Sequence, residues 1–232
     1  MPIRWVAFDA VGTLMQPHPP VARVYWEAGR RNGSRLPEEE VGRRFHEAFA
    51  AIERADLAGA DPADPAALRT SEARETDRWR TIVRTVLDDV ADGNACFAEL
   101  YEHFAQPSAW RLFDDVEPSV RALHERGISI AVASNFDERL VGVVRGLPVQ
   151  PFVRFVVPSS TLGYRKPSRY FFAGVRDRAG CAADELLYVG DDWNQDVLAA
   201  RNAGLSALHV DRDAVESPAD RVTDLRELVD RL

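Results

Sequence analysis

From about Pro107 onward the chain keeps a rhythm that few folds accommodate, with short apolar runs alternating with stretches of helical spacing. Residues 128–133, 152–157, 186–189 and 205–208 read as strands, and 117–126, 136–146, 168–179, 194–203 and 222–232 read as helices. Strands separated by helices predict right-handed crossovers and a mostly parallel sheet. One further apolar run lies far upstream, at residues 3–9, and ends in Asp9 shortly before Gly12 and Thr13. A single strand has no partners of its own, so it must join that sheet.

Between these two parts, from Pro17 to Pro107, strand signals vanish. Trp79, Ile82, Val83, Val86, Leu87 and Val90 step by three and four into one apolar stripe. Tyr25, Trp26 and Gly29 mark an earlier helix, and Phe45, Ala48, Phe49 and Ile52 the next. The Asp61-Pro62-Ala63-Asp64-Pro65 stretch interrupts the series. About four helices fit, and core packing is the first expectation for their aromatic residues. The domain expectation is therefore a core of residues 1–16 and 108–232, with residues 17–107 inserted as a helical bundle.

Composition excludes several functions. The chain has 232 residues, 46% apolar and 28% charged, which is ordinary for a globular protein. No apolar run approaches the roughly 18 residues of a membrane span. The N-terminus lacks the long apolar stretch of a signal peptide, so a cytoplasmic location is expected. A net charge of −8 and no basic stripe with interleaved aromatics argue against a nucleic-acid or membrane-surface partner. Two cysteines, Cys96 and Cys181, build neither a disulfide framework nor a cysteine-rich zinc site. Nothing speaks to oligomeric state. Of the 29 basic residues only Lys166 is a lysine, a compact point charge that a guanidinium does not replace.

Open parallel sheets bind ligands beyond the carboxyl ends of their strands. Asp9-Ala10-Val11-Gly12-Thr13-Leu14 follows the first strand and Ser134-Asn135 the second. Gly163-Tyr164-Arg165-Lys166-Pro167 follows the third strand of the sheet, and Gly190-Asp191-Asp192 the next. A lone acid at a strand end is more often a cap or turn residue. Four polar strand ends in this order converge on one rim.

This set resembles the haloacid dehalogenase-like hydrolase superfamily over nearly the whole chain. Asp9 to Leu14 looks like its first motif, Ser134-Asn135 its second and Lys166-Pro167 its third. Gly190-Asp191-Asp192, with Asp196 and Ala203-Gly204, looks like its fourth. The wording of the first motif, with Glu75, Trp79, Arg80 and Val83 in the insert, is most similar to the REG-2-like branch. The resemblance implies an α/β fold: a Rossmann-like, mostly parallel sheet core flanked by helices, with an inserted helical-bundle cap of the first type. It implies Asp9 as a nucleophile toward a phosphorylated small molecule, with Mg²⁺ held by Asp9, Asp191 and the Val11 carbonyl. Ser134 and the Asn135 backbone would hold phosphate oxygens, and Lys166 would bridge phosphate and nucleophile. Asp192 and Asp196 would orient metal-bound waters, although an N-cap and a first-turn acid explain them equally well.

One departure stands against these matches. Phosphatases of the superfamily carry a second Asp two residues after the nucleophile as general acid and base, and Val11 stands there. An isopropyl group donates no proton, and that assistance is worth about 10²–10⁴-fold. His18, Glu72 and Glu75 are candidate substitutes, with a solvated helix face the plainer expectation for the two glutamates. Trp26, Arg74, Trp79 and Arg80 are candidates to face the substrate, and Trp193 either borders the site or packs. Two further functions stay open: a catalytically weak phosphate- or ligand-binding module, and a 2-haloacid dehalogenase acting at carbon. Against the last, Asp191 and Asp192 facing Asp9 without a cation would repel its charge.

Overall fold

In the computed structural model, which describes residues 2–232, the sheet forms as the alternation requires. Strands β1 (Trp5–Phe8), β4 (Ser129–Ser134), β5 (Val153–Pro158), β6 (Leu186–Gly190), β7 (Ser206–Val210) and β8 (Arg221–Val222) join in the order β5–β4–β1–β6–β7–β8. Every pairing in it is parallel. The opening strand thus sits near the centre, between β4 and β6, with no exposed edge.

Two apolar layers follow from the two faces of these strands. On one face Val6, Phe8, Ile130, Val132 and Val189 pack under α5 (Val116–Glu125), α6 (Arg139–Arg145) and α10 (Leu225–Arg231). On the other, Ala7, Ala131 and Ala133 leave room for Phe171, Phe172 and Val175 of α8 (Arg169–Ala179) and for Ala199 and Ala200 of α9 (Ala199–Asn202). Small residues under large ones keep the layer close-packed. Short α7 (Ser159–Leu162) follows β5.

The insert contains four helices, α1 (Val21–Arg31), α2 (Glu38–Leu57), α3 (Glu72–Val86) and α4 (Gly93–His103). They bury Val24, Tyr25, Val41, Ile82, Val86 and Leu100 in an apolar cluster of their own. Ser71 and Asp92 cap α3 and α4 by accepting from backbone amides. The chain enters and leaves this bundle through an antiparallel pair, β2 (Met15–Pro17) with β3 (Trp110–Leu112). None of the helices among the described residues is long and apolar enough to cross a membrane.

Two readings need correction, and one element is new. The helix expected over 222–232 begins at Leu225, because residues 221–222 extend the sheet as β8 beside β7. The helix expected over 194–203 opens as a wide π-turn, Trp193–Leu198. The β2–β3 ribbon was not anticipated, since three-residue strands carry no readable periodicity.

Candidate functional site

The carboxyl ends of β1, β4 and β6 bring Asp9, Ser134 and Asp191 to one rim, and the loop before α8 brings Lys166 over them. Asp9 and Lys166 are each 5% exposed and Asp196 is 1% exposed. The Lys166 Nζ donates to Asp9 Oδ1 at 2.6 Å and to Asp196 Oδ1. Burial alone would lower the ammonium's pKa, but Asp196 and Asp9 outweigh it and hold that pKa well above its ordinary value. The sole lysine is therefore a fixed cation between two acids.

Two glycines shape the acidic wall. Gly12 has φ +89, and a Cβ there would stand 2.2 Å from Asp191 Oδ2; only glycine meets both demands. A Cβ on Gly190 would stand 2.2 Å from Asp196 Oδ2. The first turn is closed by Leu14 N and Met15 N donating to Ala10 O and by Gly12 N donating to Met15 O. Thr13 Oγ1 donates to Asp191 Oδ1 at 2.8 Å. From outside, Arg212 anchors the turn by donating to Thr13 O while pairing with buried Asp115. His209 Nε2 lies 2.8 Å from Asp191 O.

One oxygen from each of Asp9, Asp191 and Asp196 lies within 4.8 Å of the others. Asp191 is exposed as a residue, but its carboxylate is desolvated against the Gly12 turn, and that first, then the charge of Asp9, pushes it up to about 6. Burial dominates again at Asp196, which rises to about 7 despite Lys166. Three close carboxylates and one ammonium leave uncompensated negative charge, and hard oxygen donors with excess negative charge suit Mg²⁺. The residues present fit such an ion.

The remaining expected residues take definite places. The Asn135 side chain brackets Lys166: Nδ2 donates to Lys166 O at 3.2 Å, and Oδ1 accepts from Lys166 N at 2.8 Å. Buried Ser134 lines the same cavity. Asp192 behaves as an N-cap, accepting from the amides of Asn194 and Gln195. Asp196 does stand in the first turn of the helix that follows, but it is buried there and its Oδ2 accepts from Asp192 N. Trp193 stays 40% exposed and packs edge-on to His209.

The proposed substitutes for the missing general acid fare differently. Glu75 is buried rather than solvated: it accepts twice from Arg165, at 2.7 and 2.8 Å, and once from Thr70. Glu72 accepts from Glu138 N and from the Tyr101 hydroxyl. His18 is exposed and outside the cavity lining. Of the candidate substrate-facing residues Trp79 lines the cavity, whereas Trp26, Arg74 and Arg80 do not.

Sequence reasoning missed the ties that hold bundle and sheet together. Arg165 joins Glu75 of α3 and Glu53 of α2, and Glu53 also pairs with Arg78. Gln195 reaches both Glu53 and Asn135, so the loop carrying Lys166 is clamped from both layers. The adjacency of Arg165 to the lone lysine was the available signal. A cavity of about 430 Å³ opens from Asp9, Ser134 and Lys166 into the bundle.

Substituting Lys166 by Met should destabilise the fold by about 3 kcal/mol or more at pH 8, since it strands two buried carboxylates. The loss should shrink at pH 5, where Asp196 carries its own proton. Urea unfolding at both pH values checks this, and equal losses would contradict it.

A model of the haloacid dehalogenase-like hydrolases matches residues 3–204. Haloacid dehalogenase-like hydrolase domain-containing protein 3 of Danio rerio is 27% identical over 214 residues, covering 91% of this chain and 86% of that protein. A phosphoglycolate phosphatase of Pseudomonas fluorescens is 27% identical over 151 residues, 62% of this chain and 55% of that protein. Among solved structures, the magnesium-bound putative HAD-hydrolase YfnB of Bacillus subtilis superposes with a TM-score of 0.71 at 17% identity. That match covers 100% of this chain and 99% of the other, and it speaks to the fold alone.

Proposed function

The chain belongs to the haloacid dehalogenase-like hydrolases, and we propose that it is a Mg²⁺-dependent hydrolase of phosphorylated small molecules with Asp9 as its nucleophile. The observation that carries this reading is the buried Asp9–Lys166–Asp196 array facing Asp191 on the wall of a cavity. The phosphatase among its relatives supports the substrate class.

Asp9, Asp191 and the Val11 carbonyl would hold the ion, which when bound supplies Lewis-acid neutralisation of phosphoryl charge. An Asp9 carboxylate oxygen attacks phosphorus, and the bond from phosphorus to the leaving oxygen breaks with its electron pair staying on that oxygen. Lys166 keeps the charge of Asp9 and the phosphoryl group compatible, while Asn135 holds the lysine loop in place. Water then attacks the phosphorus of the aspartyl phosphate, releasing inorganic phosphate and regenerating Asp9. Ser134 and the Asn135 backbone position phosphate oxygens, and Asp192 and Asp196 shape the acidic wall. The helical insert excludes water over the site, as lids do.

With Val11 where a proton donor would stand, and with Glu72 and Glu75 engaged elsewhere, the leaving group departs unprotonated. Acyl and aryl phosphates should therefore turn over far faster than alkyl phosphates. A panel assayed with Mg²⁺ should show rates falling steeply as leaving-group pKa rises, and a flat dependence would refute the reading. Metal-free halide release from 2-chloropropionate would replace it with chemistry at carbon. A panel without turnover, together with thermal protection by vanadate, would favour a binding module.

A further inference from the structure

Building on the hydrolase reading, we propose that the substrate is an aryl phosphate whose non-polar ring system, about two fused rings in size, fills the cavity between bundle and sheet. The inside of that cavity is the observation. Tyr25, Phe45, Phe49, Trp79, Phe97 and Phe104 contribute rings from the bundle side, while Asp9 and Lys166 stand at the opposite wall. Away from the acidic wall at Asp9, Asp191 and Asp196, the arginines and glutamates that border it are already paired. Arg165 is paired with Glu53 and Glu75, Arg78 with Glu53 and Asp56, and Arg139 with buried Asp137. A substrate with a charged or heavily hydroxylated body would have to break these pairs or leave its own polar groups unsatisfied, each at real cost. A ring system displaces only water from aromatic faces.

Size points the same way. A cavity of about 150 Å³ accepts benzene; about 430 Å³ leaves room for a naphthalene-sized body beside the phosphoryl group at Asp9. The chemistry of the leaving group agrees independently. Val11 provides no proton, and a phenolate departs without one far more readily than an alkoxide. An apolar aromatic pocket and a missing general acid thus select the same compound class.

The test compares phenyl, 4-tert-butylphenyl and 2-naphthyl phosphates, whose phenols differ in acidity by less than about one pKa unit, so that leaving-group chemistry accounts for a few-fold difference in kcat and not for one in KM. With Mg²⁺ the value of kcat/KM should rise at least tenfold from phenyl to 2-naphthyl, mainly through KM. Narrowing the cavity with Val83→Phe should erase that preference. Hydrolysis of all three esters at equal kcat/KM would overturn the proposal and leave the hydrolase reading intact. If none is hydrolysed while acetyl phosphate is, the proposal fails and the hydrolase reading stands. If acetyl phosphate is not hydrolysed either, that reading fails, and calorimetry with 2-naphthylphosphonate and phenylphosphonate still tests whether the cavity takes the ring. Tenfold tighter naphthyl binding supports the proposal, and equal binding overturns it.

Discussion

Asp9→Asn is expected to reduce turnover of every phosphate ester by roughly four orders of magnitude or more, because a covalent nucleophile has no partial substitute. The amide keeps the shape of the side chain and still accepts from Lys166, so the variant should fold. The same substitution changes how the site handles protons. In the parent chain Asp191 and Asp196 rise from an ordinary 3.8 to about 6 and about 7. A carboxyl raised in the folded state contributes stability below its unfolded value and loses it as pH climbs through its folded value. Without a cation the fold therefore weakens between about pH 4 and pH 7, and Mg²⁺ should restore more stability at pH 7.5 than at pH 5. Removing the Asp9 charge relieves part of the repulsion on Asp191, so the variant's Mg²⁺ response should be smaller and less dependent on pH. Steady-state rates and melting temperatures with and without Mg²⁺ check both claims. Wild-type turnover by Asp9→Asn would remove the nucleophile from the proposal.

The sheet was legible because burial on both faces writes a strand as a continuous apolar run. Residues 3–9 and 128–133 show it plainly, and polar residues at their ends mark where the runs stop. Lys166 stood out for a simpler reason, being alone of its type. What escaped the sequence are the contacts made across long separations. Arg165 and Glu75 are ninety positions apart, and nothing in the spacing of α3 distinguishes Glu75 from an acid on a solvated face. Asp196 was legible as an acid of the fourth motif, but its pairing with Lys166, thirty positions away, was not. Bundle aromatics such as Phe49 and Trp79 read as core because core and cavity wall share one composition. Only the packing of four helices decides whether the space between such rings is filled.

Val11→Asp should raise Mg²⁺-dependent hydrolysis of alkyl phosphates by about 10²–10⁴-fold, the worth of a placed general acid. Val11 lines the cavity beside Asp9 and is only partly buried against the apolar layer of the sheet, so the cost in stability should stay at about 1 kcal/mol. Several acids already surround the position, and their repulsion would raise the new carboxyl's pKa. A proton donor is helped by such a shift, since it must hold its proton at working pH. The substrate dependence gives the sharper readout. Aryl phosphates need little protonation and should gain little, so the steep dependence on leaving-group pKa should flatten in the variant. Rates across the ester panel, measured on a variant confirmed to fold and to bind Mg²⁺, decide the matter. If alkyl esters gain nothing there, the leaving oxygen does not pass residue 11, and the preference for unprotonated leaving groups must arise elsewhere in the cavity.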